Sequence, residues 1–401
     1  MVHTVTKQKR IVEIDIVKGI GIMLIAVFHI VYRSMDGIPD KMIRSLGWAL
    51  IGIFFLLSGY TCRPNVRIRD IYRSRVLGLM LPVILTEIFL LFFGGLYCIL
   101  VHDYTVKDVL HDAVVTFLRP EISNQISGTW GDGGILFFNL SPVWFIWSMG
   151  WTELFFHPLR SLTIGRGKGQ MPWVALVLFL FAIQIPMYVY LRPAPWGLTI
   201  IPVYLIFMLI GAMFRNRRIL ERLMNVPPLP AFFITIVCFA AHFGLFLFNG
   251  NESYYLSKFG NRGALDVFTV ILQVLIALPA FFFFARAVGK VKLLAGGISW
   301  IGRHTLGILL MHCILGVVYC DLFKNYIKPG PYWYLETKGI PLTAEIVLKS
   351  ILCWALAVAS CIPILYIWDK VQEKLFGKLL RERKQETGEM TGEEQTSKST
   401  S

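Results

Sequence analysis

Ten stretches of this chain are apolar over a length that can cross a lipid bilayer, and this pattern limits the fold more than any other feature. Hydrophobic residues make up 56% of the sequence and charged residues only 16%, which lies outside the range of soluble globular proteins. We therefore expect an all-α, polytopic transmembrane bundle of about ten membrane-spanning helices. Their expected boundaries are 11–32, 45–62, 77–101, 135–157, 172–191, 196–214, 228–248, 264–285, 294–318 and 344–368.

The distribution of Lys and Arg predicts which loops face the cytoplasm. With a cytoplasmic amino terminus, the inner loops and tails up to Lys384 hold 24 of these residues, whereas the outer loops hold 11. Because cytoplasmic loops are enriched in Lys and Arg, we expect both termini in the cytoplasm. The chain then divides into a basic N-terminus (1–10), a transmembrane domain (11–368) and a mostly disordered cytoplasmic tail (369–401). The net charge of +14 is spread over membrane-facing loops, so the expected partner is the lipid bilayer and not a nucleic acid.

Two ionisable residues, Lys18 and His29, lie inside the first apolar segment. They are eleven residues apart, which is three helical turns plus about 20°, so both side chains project from one face of a helix. At about 1.5 Å per residue their separation is about 16 Å, half the hydrocarbon thickness. Ionisable groups at such depth cost about 2.5 to 3.5 kcal/mol on insertion scales and usually serve a function.

Asp15 lies one turn before Lys18 and can form a buried ion pair with it, which would lower the cost of insertion. Gly19 and Gly21 follow, and two glycines this close permit near approach of another helix or of a ligand. Alternatively, Asp15 and Lys18 extend to the cytoplasmic interface, and His29 is a neutral histidine hydrogen-bonded within the bundle.

The second apolar segment ends in a polar and then strongly basic stretch. Ser58 and Tyr60 lie near its inner end, and Arg69, Arg73 and Arg75 follow soon after. Clustered guanidinium groups suit bidentate phosphate binding, so the polyphosphate head of a nucleotide-type cofactor would fit here. Anionic lipid headgroups are the alternative that charge alone favours.

Trp144, Arg303 and His312 are further candidates for contacts with a substrate. Trp144 belongs to an aromatic surface for which interfacial anchoring is the alternative, and His312 lies at a depth similar to that of His29, with packing as its alternative. The seven cysteines show neither CxxC nor metal-ligand spacing, and most lie in apolar spans. We therefore expect no disulfide framework and no metal.

The motifs in which these residues occur resemble those of the acyltransferase family 3 integral membrane proteins. The segment IDIVKGIGIMLIAVFHI matches the family signature of Arg or Lys, ten residues, then His, at Lys18 and His29. Four further motifs follow in the same order as in the family: FFLLSGY, YRSRVLGLMLP, VWFIWSM and IGRHTLGILLMH. The number of expected spans, about ten, is also that of the family. Within the family, the form Asp-x-x-Lys-Gly at Asp15 to Gly19 looks most similar to the fucose 4-O-acetylase-like branch.

This resemblance implies an O-acyltransferase that moves an acyl group, acetyl above all, from cytoplasmic acyl-CoA to a hydroxyl of a cell-envelope carbohydrate or glycolipid. Acetyl-CoA or another acyl-CoA would be the co-substrate, held by Lys18 and the arginine group, without a metal. His29 would act as general base or as acyl carrier. A multi-pass protein of a bacterial plasma membrane is implied as well.

A transporter or flippase of a lipid-linked sugar or another envelope precursor is the alternative function, because buried charges and a polar path through the membrane suit it equally well. The sequence carries no signal of the oligomeric state or of the identity of the acceptor.

Overall fold

The structure, a computed structural model, is helical throughout the part of the chain that it describes. The described residues are 11–30, 38–62, 69–70, 72, 76–89, 92–93, 95–101, 104–110, 143–163, 171–190, 195–248, 264–322, 348, 351–367 and 370. The N-terminal tail, most of the outer loop 102–134 and most of the C-terminal tail lie outside these residues. The expectation of an all-α protein is confirmed for the described residues.

Thirteen helices are labelled in chain order. A π-helical turn at Val76–Met80 leads into α3, and a 3-10 turn at Pro195–Ile200 leads into α7. The helices are α1 (Val12–Ile30), α2 (Ile38–Thr61), α3 (Leu81–Phe89), α4 (Gly95–Val101), α5 (Val143–Thr163), α6 (Met171–Tyr190), α7 (Ile201–Asn216), α8 (Ile219–Met224), α9 (Pro228–Phe248), α10 (Ala264–Gly289), α11 (Lys292–Arg303), α12 (Thr305–Leu322) and α13 (Ile351–Ile367).

Three of the described helices are long and apolar enough to cross a membrane, and a fourth span results if the bent pair α11 and α12 is counted as one. Shorter apolar helices lie at Ser45–Thr61, Trp173–Met187 and Ile351–Ile367. The helices and their apolar character support a membrane protein. The number of ten spans and the cytoplasmic side of both termini stay predictions.

The helices differ in how much of their surface is covered. In the span that contains α7, 78% of the residues in its most apolar window are buried, against 17% for α9. Residues 201–212 of α7 are buried without interruption, as expected for a helix that is apolar on every side. The structure therefore has α7 at its core and α9 at its periphery, where exposed phenylalanines suit contact with lipid.

Two glycines allow α2 and α7 to pack backbone against backbone. A Cβ atom at Gly59 would lie 2.0 Å from the carbonyl oxygen of Met208, and one at Gly211 would lie 1.9 Å from that of Leu56. No side chain fits in such a contact, which is the membrane-protein use of small residues at helix crossings. Beside it, the rings of Phe55 and Tyr204 stack with their centroids 3.8 Å apart.

A buried glutamine of α6 supports the start of α7. The side chain of Gln184 donates a hydrogen bond to the Thr199 carbonyl at 2.7 Å and accepts one from the Val203 N–H at 3.1 Å. The first N–H groups of a helix have no partner within that helix, so the amide satisfies groups that would otherwise be buried without one.

The segment 294–318, predicted from its apolar pattern as one span, is broken at His304. Helices α11 and α12 meet there at 74°. The His304 ring donates from Nδ1 to the Trp300 carbonyl at 2.8 Å and stacks on the Trp300 ring at 4.1 Å, while its backbone N–H also bonds within the last turn of α11. These contacts stabilise the end of α11, where the helix does not continue straight into α12.

A second buried polar cluster joins α2, α9 and α10. Ser45 Oγ lies 2.9 Å from His242 Nε2, and the Gln273 amide donates to Ser45 Oγ at 3.4 Å. His242 is one of only three buried residues that α9 contributes, together with Ala231 and Phe246. The cluster therefore fixes the rotation of a helix whose other faces are largely exposed.

Candidate functional site

Helix α1, which carries the predicted catalytic residues, lies in the middle of the bundle. It packs against α2, α10, α11 and α12. Asp15 is buried, with 7% of its surface exposed, and Lys18 is partly buried one turn later. His29 lies in the last turn of α1, and its side chain is outside the described part of the structure. The structure thus has the three residues on one central helix, as expected.

The half of α1 that holds Asp15 and Lys18 is pressed against α11 through two glycines. A Cβ atom at Gly19 would lie 2.2 Å from the Ile298 carbonyl oxygen, and one at Gly302 would lie 1.8 Å from the Asp15 carbonyl oxygen. The prediction that the glycine after Lys18 permits near approach of a helix is confirmed for Gly19. At Gly21 the contact is looser, since an added Cβ atom would lie 3.0 Å from the ring of Phe54.

Helix α12 also packs against α1, and α13 contacts the other half of α1. The indole N–H of Trp354 donates to the Met23 carbonyl at 3.2 Å. On α12, His312 is fully buried and donates from Nδ1 to the Ile308 carbonyl at 2.8 Å, so Nε2 is the ring atom that can accept a proton. Further along, Tyr319 and Ser360 form a hydroxyl–hydroxyl hydrogen bond of 2.5 Å between α12 and α13.

A cluster of arginines lies where α2 ends, at the end of the bundle that the charge distribution predicts to face the cytoplasm, here called the inner end. Arg215 of α7 donates to the carbonyl oxygens of Tyr60 (3.5 Å) and Cys62. Arg160 of α5 donates to the same Cys62 carbonyl at 3.3 Å. The last carbonyl groups of a helix have no partner within it and carry partial negative charge, so guanidinium groups are favourable there.

The Cys62 thiol lies within the same cluster. Its Sγ is 3.4 Å from Arg160 Nη1 and 3.7 and 3.8 Å from the two ring nitrogens of His157. Cys62, His157 and Arg160 are all buried, with 6%, 9% and 6% of their surfaces exposed. In this the thiol differs from Cys361, whose described hydrogen bond goes only to a carbonyl of its own helix. A thiol beside cationic groups is more reactive than one in an apolar core.

Three further predicted residues lie at or after the end of α2. Ser58 is half-buried, and Tyr60 is buried with its backbone carbonyl accepting a hydrogen bond from Arg215. Arg69 is exposed, and the nearby Tyr72 hydroxyl donates to the Leu154 carbonyl at 3.5 Å, which brings this segment beside α5.

Of the other predicted residues, Arg303 is exposed, and the side chains of the rest are not described. Arg303 is exposed at the end of α11. Trp144 lies in α5, but its side chain is outside the described residues, as are Arg73 and Arg75 altogether. Within the described residues, no group of His, Cys, Asp and Glu side chains is arranged to hold a metal ion.

Sequence reasoning did not identify the inner arginine cluster, formed by Arg160, Arg215, His157 and Cys62. These residues come from three segments that are 95 to 155 positions apart in the bonded pairs. In the sequence, Arg160 and Arg215 both follow apolar runs on the predicted inner side and are therefore indistinguishable from other basic loop residues. The available signal was their position within the last turn of an apolar helix, where an arginine can turn back to the bundle.

Comparison with known proteins assigns the family. The family model described as an acyltransferase domain, that of acyltransferase family 3, matches residues 11–368. No match was found among the curated proteins or among the solved structures. The matched region includes α1 with Lys18 and His29, the inner arginine cluster and every described helix. The protein is therefore a membrane acyltransferase that belongs to acyltransferase family 3.

Proposed function

We propose that this protein is a multi-pass O-acyltransferase of a bacterial plasma membrane, which moves an acetyl group from cytoplasmic acetyl-CoA to a hydroxyl of a cell-envelope carbohydrate. The observation that carries this proposal is the central position of α1. This helix holds Lys18 in its first half and His29 in its last turn, about 16 Å apart along the helix axis. A pantetheine arm is long enough to reach from one to the other.

The roles follow from the charges and from the chemistry of imidazole. Lys18 and the arginines of the inner end, including Arg69, hold the polar parts of the donor. His29 removes the proton of the acceptor hydroxyl as the oxygen attacks the thioester carbonyl. A carbon–oxygen bond forms, the carbon–sulfur bond breaks, and His29 then delivers the proton to the departing CoA thiolate. Asp15, one turn before Lys18, orients the ammonium group and lowers the cost of its insertion.

The acceptor is proposed to be a sugar or glycolipid hydroxyl that is reached from the outer side. The finer likeness to the fucose 4-O-acetylase-like branch stays a prediction and makes a 6-deoxyhexose acceptor one to test early. Mass spectrometry of envelope glycans from cells with and without the gene would identify the molecule that loses an acetyl group.

The first experiment supplies purified protein with acetyl-CoA, with and without an acceptor extract, and measures free CoA. Acceptor-dependent CoA release supports the enzyme. Flux of a lipid-linked sugar into vesicles without any CoA release would instead establish the transporter alternative and refute the proposal.

The second experiment replaces the two residues of α1. His29→Ala is expected to abolish transfer while the protein still inserts and elutes as a single species. Lys18→Ala is expected to weaken the affinity for acetyl-CoA about tenfold or more, since it removes a charge-assisted contact. Lys290→Ala, at an exposed lysine between α10 and α11, is the matched control and should leave the affinity unchanged. Full activity of His29→Ala would remove the mechanism.

A further inference from the structure

Helix α11 begins and ends at the inner end of the bundle. The preceding helix, α10, reaches that end, because Arg286 in its last turn donates to the carbonyl groups of Leu223 and Val226 at the end of α8. Gly302, in the last turn of α11, lies against Asp15 in the first half of α1. A helix whose two ends lie at one end of a bundle runs across that bundle and not through it.

Helix α12 is long enough to cross the membrane without α11. Its 18 residues extend about 27 Å at about 1.5 Å per residue, close to the hydrocarbon thickness of about 30 Å. The axes of α11 and α12 meet at 74°. A helix at this angle to a membrane-spanning helix lies close to the plane of the membrane, so α11 lies along the inner surface.

Three sides of α11 have different surroundings. One side is pressed against α1 through Gly302. A second side is basic, because Lys292 and Arg303 are eleven residues apart and project within about 20° of each other. The third side is apolar: Leu294 projects about 160° away from Lys292, and Leu293, about two and a half turns before Gly302, points away from α1.

The basic and apolar sides are both open. Leu293 and Leu294 are 88% and 50% exposed, and Lys292 and Arg303 are exposed as well. In the middle of the helix, a Cβ atom added at Gly296 or at Gly297 would meet nothing within 4 Å. Exposed leucines opposite a basic face are typical of amphipathic helices that lie in the membrane interface.

We propose that α11 is an interfacial helix that binds the inner leaflet of the bilayer. Leu293 and Leu294 enter the acyl-chain region, while Lys292 and Arg303 extend to the phosphate groups of anionic lipids. The charge pattern selects this partner, since the cations lie at the two ends of the helix and on the side opposite Leu294.

The binding of α11 to lipid has a consequence for α1. A leaflet that holds α11 in place also holds the contact of Gly302 with Asp15, one turn before Lys18. Anionic lipid is therefore expected to stabilise the part of α1 that carries Lys18. The proposal is independent of the donor and the acceptor, and the tests below need no turnover.

The first test uses neighbouring glycines as reporters in nanodiscs, where a water-soluble reagent reaches both membrane surfaces. Gly296 projects about 40° from Lys292 and Gly297 about 140°, and neither is covered by the chain. A charged maleimide should modify Gly296→Cys about tenfold faster than Gly297→Cys. Peptide mass spectrometry separates the introduced cysteine from the seven natural ones. Equal rates for the two variants would overturn the proposal.

The second test measures melting temperature in nanodiscs of phosphatidylcholine with and without phosphatidylglycerol. The anionic lipid should raise the melting temperature of the wild type, and the double variant Lys292→Gln, Arg303→Gln should lose about half of that rise or more. The control is Lys107→Gln, which removes an exposed charge on the predicted outer side and should keep most of the rise. No rise for the wild type, or a full rise for the double variant, would refute lipid binding by α11.

The third test identifies what covers the leucines. Benzoylphenylalanine is incorporated in place of Leu293, and the protein is irradiated in membranes. Adducts with phospholipid, detected by peptide mass spectrometry, are the expected result. Cross-links to a second copy of the chain or to another protein, without lipid adducts, would show that the leucines form a protein interface, and the proposal would fail.

Discussion

The substitution Gly302→Ala tests whether the contact of α11 with α1 is as close as the structure has it. The added Cβ would lie 1.8 Å from the Asp15 carbonyl oxygen and 3.0 Å from the Gly19 nitrogen. Both are backbone atoms, so no side chain can rotate away. Carbon–oxygen contacts between helices are about 3.3 Å or longer, so the two backbones would have to separate by about 1.5 Å.

The expected cost follows from this separation. Overpacking of a close contact costs about 1 to 3 kcal/mol, and the better helix propensity of Ala returns about 1 kcal/mol, so a net loss of about 0 to 2 kcal/mol is expected. Gly297→Ala is the matched control on the same helix, since a Cβ there meets nothing within 4 Å. Gly297→Ala gains only the higher helix propensity of Ala, so the stability of this variant should be unchanged or slightly higher.

The assay is thermal unfolding of the purified proteins in one detergent, followed by intrinsic tryptophan fluorescence. Gly302→Ala should melt several degrees below Gly297→Ala, and its acyltransferase activity should fall, because Asp15 and Lys18 lie in the displaced part of α1. Equal melting temperatures for the two variants would refute the backbone contact and, with it, the position of Lys18 relative to α11.

Two further substitutions and one labelling experiment test buried polar contacts. Gln184→Leu should lower stability by about 1 to 3 kcal/mol, measured by thermal unfolding, because it leaves backbone groups at the start of α7 without partners. Ser45→Ala should lower stability by a similar amount, about 1 to 3 kcal/mol, because it removes the hydroxyl group that bonds to the buried ring of His242. An unchanged melting temperature would contradict this hydrogen bond. Iodoacetamide should modify Cys62 faster than Cys361, as read by peptide mass spectrometry, and the opposite order would argue against activation by the cationic neighbours.

Local pattern predicted the helices well where an apolar run ends in a clear break. The predicted span 228–248 coincides with α9, because Pro228 and the long apolar run define it without help from other segments. The predicted span 264–285 is likewise contained in α10, which continues four residues further. The position of Lys18 and His29 on one helix was predictable for the same reason, since helical periodicity is a local property.

Features that depend on contacts between distant segments could not be predicted. The His304 ring folds back on Trp300 at the break; the polar residues 303–305 interrupt the apolar pattern there, but a polar interruption does not by itself show that the helix bends. The convergence of Arg160 and Arg215 on Cys62 depends on the rotation of α5 and α7 about their axes. Apolar residues on all sides of a span leave that rotation undetermined.

The paired glycine contacts between α1 and α11 also limit how any molecule can reach the middle of the protein. Asp15 and Gly19 are one turn apart on α1, as are Ile298 and Gly302 on α11, so the two backbones touch along a full turn. Neither a water file nor an acyl chain can pass through a seam this tight. Any conduit that leads to Lys18 must therefore enter from a side of α1 other than the one that faces α11, and mutations that widen or plug a conduit should be sought there.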